Sequence, residues 1–196
     1  KNGYYSLEIK DTTTNEIISV LTEVVINSCG LYSVELAKRA GFDTEKLGYK
    51  LYYAKGEYFA LSGKYLNYFD SLFYPVAPKN GKSLGLHIVI DMHGRLKIGP
   101  NVFYVDKIDY SVDASHISEF FNAAKRYFKD ISIDELSPDM AGIRPKLQAP
   151  DEQFRDFLIK NEADNGYKNF INLIGIESPG LTASLAIAEY VEKLII

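Results

Sequence analysis

Residues 170–196 read FINLIGIESPGLTASLAIAEYVEKLII, and this stretch decides the fold. The apolar run FINLI is typical of a buried strand, GIESPG predicts a glycine-rich turn, and the remainder predicts a helix that lasts nearly to Ile196. Residues 181–188 of that helix carry no charge and are mostly small. We therefore expect the first turns of the helix to be buried, with another element packed close against them.

A second stretch, VVINSCGLYSVELAKRAG at residues 24–41, has the same order of strand, turn and helix. Asn27, Cys29 and Gly30 belong to its turn, and the helix is predicted over residues 31–40. Upstream, residues 4–10 and 16–26 predict two strands of a hairpin or meander, because β-branched and aromatic residues flank the turn sequence DTTTN.

The middle of the chain predicts an antiparallel sheet, because its strand-like segments are too close together for helical crossovers. A hairpin turn is predicted at His93 and Gly94, an amphipathic helix at residues 115–128, and a proline-punctuated connection at residues 137–150. A second strand pair is predicted at residues 157–159 and 170–174. The predicted strand segments of the sheet are YKLYYAKGEYFAL (49–61), SLFYPVAP (71–78), LGLHIVIDM (84–92) and GRLKIGPN (94–101).

Composition excludes several classes of function. The chain has 196 residues, a net charge of −4 and scattered Lys and Arg residues, so it lacks the positive field that nucleic acid requires. Cys29 is its only cysteine, which favours a reducing compartment and provides no metal-ligand cluster. No apolar run approaches a bilayer span and no secretory signal is evident, so we expect a cytoplasmic protein. Because the sequence opens on Lys1 directly into a strand, we interpret it as a fragment.

Two interpretations of the C-terminal turn remain open on residue physics alone. The start of a helix offers unpaired N–H groups and a partial positive charge, so the turn could hold an anion or an electron-rich ring. Alternatively, a helix of small residues packs tightly on a sheet, and this is the commoner case. Arg144 has a similar pair of interpretations, since a guanidinium either grips a substrate carboxylate through two hydrogen bonds or forms a surface ion pair.

The histidines also admit two interpretations. Alternation along residues 85–90 places His87 on the face opposite Leu86, Ile88 and Ile90. His87 is then either a hydrogen-bonded sheet residue or a base that works near neutral pH. We expect His93 and His116 to be structural or exposed.

The stretch GIESPGLTASLAIAEYV resembles the C-terminal flavin loop and helix of FAD-dependent oxidoreductases related to D-amino-acid oxidase. The L-2-hydroxyglutarate dehydrogenase/oxidase branch is the most similar. VVINSCGLYSVELAKRAG resembles the family's strand that ends in Asn-Ala-Ala-Gly, although this chain has Ser28 and Cys29 where alanine is usual. Three further segments and the AGIRPKL motif follow in the family's order: KGEYFAL, LFYPVAP and LGLHIVIDMHGRLKIGPN.

The resemblance implies roles for individual residues. Asn27, Cys29 and Gly30 would approach the pyrophosphate and adenine side of FAD, Arg144 would bind an acid substrate across the cavity from the flavin, and His87 would be the base. Tyr58 and Tyr74 would line the substrate cavity. The flavin loop, which would lie against the ring with the helix dipole facing its pyrimidine end, comprises Gly175, Ile176, Ser178, Pro179, Gly180, Leu181 and Thr182.

The resemblance also implies a domain arrangement and an activity. The fold class is α/β (α+β): residues 1–45 and 146–196 would be the C-terminal part of a Rossmann-like FAD-binding domain, and residues 46–145 an antiparallel-sheet substrate domain. The sequence lacks the Gly-x-Gly-x-x-Gly turn that holds the ADP half of FAD, so an upstream segment would supply it and the fragment alone would lack FAD and activity. The intact protein would oxidise a small 2-hydroxy acid by hydride transfer to FAD. An amino acid or glycerol 3-phosphate are alternative substrates, and a non-catalytic remnant is a further alternative.

Overall fold

The computed structural model describes residues 3–76 and 85–196 of the chain. In chain order the strands and helices are β1 (Tyr5–Lys10), β2 (Ile17–Thr22), β3 (Val25–Asn27), α1 (Ser33–Arg39), β4 (Tyr52–Leu61), β5 (His87–Ile90), β6 (Leu96–Gly99), β7 (Phe103–Val105), α2 (Ile117–Ala124), β8 (Leu136–Lys146), β9 (Leu158–Asn161), β10 (Phe170–Ile174) and α3 (Ser184–Leu194).

The chain divides into two compact units. The first contains Lys1–Tyr52 and Pro145–Ile196, and the second contains Tyr53–Arg144. This division differs from the predicted boundaries mainly in residues 46–52. They belong to the first unit because Tyr49 is buried in a cluster with Leu147 and Ile174.

The N-terminal part of the first unit is a hairpin followed by a separate strand. β1 and β2 pair antiparallel, whereas β3 pairs with β10 in another sheet. The single strand predicted over residues 16–26 is therefore wrong. The chain turns where the Thr22 hydroxyl donates to the Val24 carbonyl at 2.9 Å and accepts from the Val24 N–H at 3.3 Å.

The sheet of the first unit has three strands in the order β3-β10-β9. β10 is parallel to β3 and antiparallel to β9, and every residue of β10 is buried. A continuous apolar run such as FINLI suits this central position, because a strand covered on both faces needs no alternation. A short 3-10 turn, Gly30–Tyr32, connects β3 to α1.

Helix α3 follows β10 but begins at Ser184, three residues later than the charge-free stretch predicted. Val191 is buried and Ile187 packs against the cluster of β10 residues, so this face of the helix covers the sheet. The first turns are not buried in this chain, which contradicts the prediction: Leu185 is 81% exposed, and Ala186 and Ala188 are exposed as well. Among the described residues, no strand or helix packs against this side of α3.

The second unit contains a five-stranded sheet in the order β5-β6-β4-β7, with β8 paired to β4. β4 pairs antiparallel with β6 and with β7, and β5 pairs antiparallel with β6, which confirms the predicted sheet. Helix α2 contributes Phe120 and Ala124 to a core that also holds Phe59 and Ile88. Because Leu86 and Ile90 pack against the same core, His87 lies on the opposite face, as the alternation predicted.

Three predictions for the second unit differ from the structure. Most of residues 137–150, which were predicted as a connection, form a strand, because β8 runs from Leu136 to Lys146. Prolines are tolerated in strands that lie at an edge, and β8 pairs only with β4 among the described residues. The strand predicted over residues 71–78 is absent from its described part, where Phe73 makes one isolated bridge to Ile88, and Ala77 and Pro78 lie outside the described residues. Helix α2 ends at Ala124, although Phe128 is still buried in the core.

Candidate functional site

The turn after β3 is shaped by the buried side chain of Asn27. Its Nδ2 atom donates to the Ser33 carbonyl and to the Oδ1 atom of Asn172, both at 2.8 Å, and its Oδ1 atom accepts from the Cys29 N–H at 3.4 Å. Both amide hydrogens of Asn27 are therefore used inside the protein. The structure gives Asn27 a role in fixing the turn that carries Cys29 and Gly30.

The hydrogen-bonded network continues from Asn27 into the interior. The Asn172 amide donates to Glu162 at 2.8 Å, and the Tyr49 hydroxyl donates to the same Oε1 atom at 2.7 Å. Burial, and then the neighbouring Glu162 carboxylate, raise the pKa of Tyr49. Sequence reasoning missed Asn172 and Glu162, because neither lies in a motif and the network joins residues far apart in the chain.

The turn after β10 needs its glycines for space. A Cβ atom on Gly175 would lie 2.5 Å from Cγ of Leu147, and one on Gly180 would lie 2.4 Å from Cγ2 of Ile176. Glu177 anchors the turn through an ion pair of 2.6 Å with Lys146. The other predicted flavin-loop residues, Ser178, Pro179, Leu181 and Thr182, are exposed.

Helix α3 begins without a side-chain cap. Ala183 precedes it, makes no side-chain hydrogen bond to the helix, and no acidic residue lies in the first turn. The Ser184 N–H donates to the Leu181 carbonyl at 3.2 Å, so what this end of the helix offers an electron-rich group is the rest of its first turn and the positive end of the helix dipole.

A groove of about 550 Å³ joins the two turns. Ser28 and Gly30 from the first turn line it together with Ile176 and Gly180 from the second. The structure therefore brings together two segments that the sequence predicted for one cofactor. Along α3 and the adjacent strands the same groove is apolar, with Ile26, Leu173, Ile187, Ala188, Val191 and Ile195 in its lining.

The groove fits one side of a flat cofactor. Gly30 has a φ of +55°, and no atom lies within 4 Å of the place where its Cβ atom would be, so a ligand can approach the backbone closely. The N-terminus of α3 supplies the positive end of a helix dipole, but the sequence contains no Gly-x-Gly-x-x-Gly turn for the pyrophosphate. These residues suit part of an FAD site.

The second unit clusters the predicted substrate residues. The Tyr74 ring stacks on the His87 imidazole, with 4.4 Å between centroids and 27° between planes. Burial raises the pKa of Tyr58, the nearby Arg144 guanidinium opposes this rise, and Tyr74 adds to it. Arg144 and Tyr74 are therefore near enough to affect the charge of Tyr58, and Tyr74 contacts His87.

Gly99 lies in the middle of this group, and sequence reasoning missed it. It is the register partner of His87 on the neighbouring strand, with a φ of +146°. A Cβ atom on Gly99 would lie 2.7 Å from Cδ1 of Tyr58. The glycine thus leaves room for the Tyr58 ring on the strand beyond. Its signal in the sequence was the Gly-Pro pair at residues 99–100, which the sequence analysis included in the predicted strand segment GRLKIGPN.

The other two histidines lie apart from this group. His116 contacts the fully buried Glu57 carboxylate at 2.6 Å, and its hydrogen bond to Glu57 is the main cause of its raised pKa. Lys55 approaches the same carboxylate at 3.7 Å. His93 is exposed in the turn between β5 and β6. Within residues 3–76 and 85–196, no three His, Cys, Asp or Glu side chains are grouped as a metal site would need, and no helix is both long and apolar enough to cross a bilayer.

Comparison with known proteins defines the class to which this fold and these turns belong. The chain matches the FAD dependent oxidoreductase (DAO) family over residues 5–194, and it therefore belongs to that family. It is 37% identical to the mitochondrial L-2-hydroxyglutarate dehydrogenase of Arabidopsis thaliana, over 89% of this chain and 38% of that protein. It is 28% identical to a glycerol 3-phosphate dehydrogenase of Caloramator mitchellensis, over 98% of this chain and 36% of that protein.

The fold is similar to that of a solved flavoprotein. The L-alpha-glycerophosphate oxidase of Mycoplasma pneumoniae, determined with FAD bound, superposes with a TM-score of 0.72 over 99% of this chain and 47% of that one, at 21% identity. This likeness confirms the predicted mixed α/β fold. In these three comparisons the chain spans between 36% and 47% of the other protein's length.

Proposed function

We propose that the intact protein oxidises a small 2-hydroxy acid of the L-2-hydroxyglutarate type. The observation that carries this proposal is the cluster of Arg144, Tyr58, Tyr74 and His87 in one unit. A guanidinium binds a carboxylate through two parallel hydrogen bonds, and an imidazole accepts a proton near neutral pH. The same unit thus contains a carboxylate-binding group and a base, the two groups that a 2-hydroxy acid requires.

In the proposed reaction Arg144 holds the substrate carboxylate and His87 takes the proton of the substrate hydroxyl. When bound, FAD accepts the two electrons and the hydrogen of the adjacent carbon as a hydride. The carbon–oxygen single bond thereby becomes a double bond, and the product is a 2-oxo acid. Tyr58 and Tyr74 line the substrate cavity and limit its width.

Glycerol 3-phosphate is the second candidate substrate. Two of the compared proteins are named for this substrate, and a guanidinium also binds phosphate through two hydrogen bonds. The 37% identity to an L-2-hydroxyglutarate dehydrogenase favours the hydroxy acid. An amino acid, which carries an amine and not a hydroxyl on the carbon next to its carboxylate, is a weaker candidate.

FAD would be shared between this chain and a segment outside the printed sequence. β3 pairs with β10 alone among the described residues, so its other edge is open, and Ile26 on β3 is 46% exposed beside the apolar groove along α3. Parallel sheets are normally covered by helices on both faces. We propose that an upstream FAD-binding segment adds a strand to β3, lays its helix in the groove, and completes the cofactor site. The chain alone would then be unable to hold FAD, and a non-catalytic remnant is the outcome if no such segment exists.

The experiment that tests the activity uses the protein expressed with its natural upstream sequence. Anaerobic reduction of the bound flavin would be followed with L-2-hydroxyglutarate, glycerol 3-phosphate and a D-amino acid in turn. We expect the hydroxy acid to bleach the flavin fastest. Arg144→Lys should raise KM for the hydroxy acid by about 10–100-fold, because lysine cannot make the two parallel hydrogen bonds of a guanidinium. Bleaching by glycerol 3-phosphate alone would contradict the proposal. A colourless protein that takes up no FAD would support the remnant.

The cellular compartment of the protein is also a matter of proposal. Sequence composition predicts the cytoplasm, whereas the Arabidopsis relative is named as mitochondrial. Fluorescent tagging of the protein with its natural upstream sequence would separate the two locations.

A further inference from the structure

The imidazole of His87 is held from two sides: one contact determines which nitrogen carries the hydrogen, and the other restrains the plane of the ring. Its Nδ1 atom lies 2.9 Å from the carbonyl oxygen of Gly85, and its ring is stacked on Tyr74. The side chain is nearly buried, with 8% of the residue exposed. A histidine held in this way has few orientations available to it.

The contact with Gly85 determines the tautomer of the neutral ring. A carbonyl oxygen only accepts hydrogen bonds, so the Nδ1 atom of His87 must carry the hydrogen. In a neutral imidazole the lone pair then belongs to Nε2. Nε2 makes no hydrogen bond to any residue that the structure describes.

The contact with Tyr74 fixes the plane of the ring. The two rings lie 27° from parallel with centroids 4.4 Å apart, which is the separation of an offset stack. A small rotation of the imidazole about its χ2 angle would weaken both this stack and the Gly85 hydrogen bond, whereas a 180° flip would keep the ring plane and break only the hydrogen bond. Tyr74 and the Gly85 carbonyl thus both oppose tilting of the ring, and the carbonyl alone opposes a flip.

Gly99 keeps the space beside this ring clear on the same face of the sheet. It is paired in register with His87 and has no side chain, and the Tyr58 ring reaches over it from the next strand. The Tyr58 ring thus occupies the space over Gly99, and His87 and Tyr58 lie on either side of this glycine. A substrate hydroxyl that reaches His87 would approach it from the part of the face that Tyr58 borders.

We propose that Tyr74 is a positioning residue for His87, and that it acts with the Gly85 carbonyl to present Nε2, and not Nδ1, as the atom that takes the substrate proton. The proposal rests on the proposed function in assigning His87 as the base. It changes the predicted role of Tyr74, from a lining residue of the substrate cavity to a residue that acts through another side chain.

The test uses the printed chain without cofactor or substrate. Long-range ¹H–¹⁵N spectra report which imidazole nitrogen is protonated, and the three histidines can be assigned with His93→Gln and His116→Gln variants. The spectra are recorded near pH 8, above the ordinary histidine pKa of about 6.5. We expect His87 to have a protonated Nδ1 and an unprotonated Nε2, and the exposed His93 to show an averaged mixture. A protonated Nε2 on His87 would overturn the proposal.

Variants of Tyr74 test its part separately. Tyr74→Phe keeps the stack and should leave the His87 spectrum unchanged, whereas Tyr74→Ala should convert the single tautomer into a mixture. An unchanged tautomer in Tyr74→Ala would show that Tyr74 does not position the ring. If Tyr74→Ala does not fold, Tyr74→Leu retains apolar bulk without an aromatic face and serves the same purpose.

The two proposals can fail independently. If the intact enzyme keeps its activity with His87→Gln, the assignment of His87 as the base is wrong even where the tautomer is as expected. If the tautomer is reversed while His87→Gln abolishes activity, the base is right and the positioning proposal is wrong.

Discussion

Asn27 and Asn172 are register partners on the parallel strands β3 and β10, and a hydrogen bond of 2.8 Å joins Nδ2 of the first to Oδ1 of the second. Both side chains are fully buried. Through Asn172 the bond links the turn at Cys29 to the carboxylate of Glu162. The shape of one candidate cofactor turn therefore depends on a polar network in the interior.

Asn27→Ala and Asn172→Ala should each destabilise the chain by roughly 2 kcal/mol, because each leaves a buried partner without its hydrogen bond. The double variant should cost less than the sum of the two, because the broken bond is shared. Urea unfolding measures all three values. Ser33→Ala is the matched control: the Ser33 hydroxyl is buried nearby and has no hydrogen-bond partner among the described residues, so its removal should change stability by less than about 0.5 kcal/mol. Full additivity of the two asparagine variants would contradict the network.

His116 should make the stability of the chain depend on pH. Its pKa is raised above the ordinary value of 6.5, mainly by its hydrogen bond to Glu57. A raised folded-state pKa stabilises the fold fully below the unfolded pKa, and this stabilisation is lost as the pH rises through the folded pKa. We expect the urea midpoint to fall from about pH 6.5 upward, and His116→Gln to reduce this fall.

The control for that prediction is His93→Gln, which changes an exposed histidine of a turn. Its pH profile should match that of the unmodified chain. If His116→Gln and His93→Gln give the same profile as the unmodified chain, the ion pair with Glu57 contributes nothing to the pH dependence.

Gly99→Ala should destabilise the chain by roughly 1–3 kcal/mol, as overpacking of a filled site does. The added Cβ atom would lie 2.6 Å from the Glu57 carbonyl oxygen and 2.7 Å from the Tyr58 ring, at a φ that L residues rarely adopt. Thermal unfolding measures the loss, and the ring signals of Tyr58 in NMR spectra should shift. Gly142→Ala on β8 has open space around the new methyl group and should leave both readouts unchanged.

Lys146→Met should lower the free energy of unfolding by roughly 2 kcal/mol, because the Glu177 carboxylate would lose its ion pair with Lys146 where the two side chains are only 14% and 9% exposed. Removing both charges in Lys146→Met with Glu177→Leu should cost less than Lys146→Met alone, because the carboxylate is then removed together with the ammonium that offsets its charge. Urea unfolding of the single and double variants decides this. A double variant that is less stable than the single one would argue against the pair as the anchor of the turn.

Short-range patterns were enough to predict much of the fold. The continuous apolar run at β10 and the alternation at β5 identified a covered strand and a strand with His87 on its outer face. The strand at residues 16–26 was predicted as one element because the pattern of apolar residues gives no sign of the turn at Thr22. β8 was missed because prolines usually interrupt strands, and its edge position could not be known without the sheet.

The candidate sites were only partly accessible from the sequence. Motifs led to Gly30, Gly180, His87 and Arg144, because glycine turns and charged groups leave local signatures. The contacts that hold these residues, such as those of Asn172 and Gly99, come from strand neighbours far away in the chain. The register between two strands determines which residue lies opposite a given one, and the spacing of residues within one segment of sequence does not reveal it.

Cys29 is the only thiol in the chain, and it is exposed in the turn that Asn27 shapes. A maleimide fluorophore would therefore attach at one defined atom, next to the groove that Ser28 and Gly30 line. Changes in its emission would report the arrival of a flavin or of a polypeptide at this turn, without any assay of turnover. The natural sequence thus provides a single-point reporter for assembly.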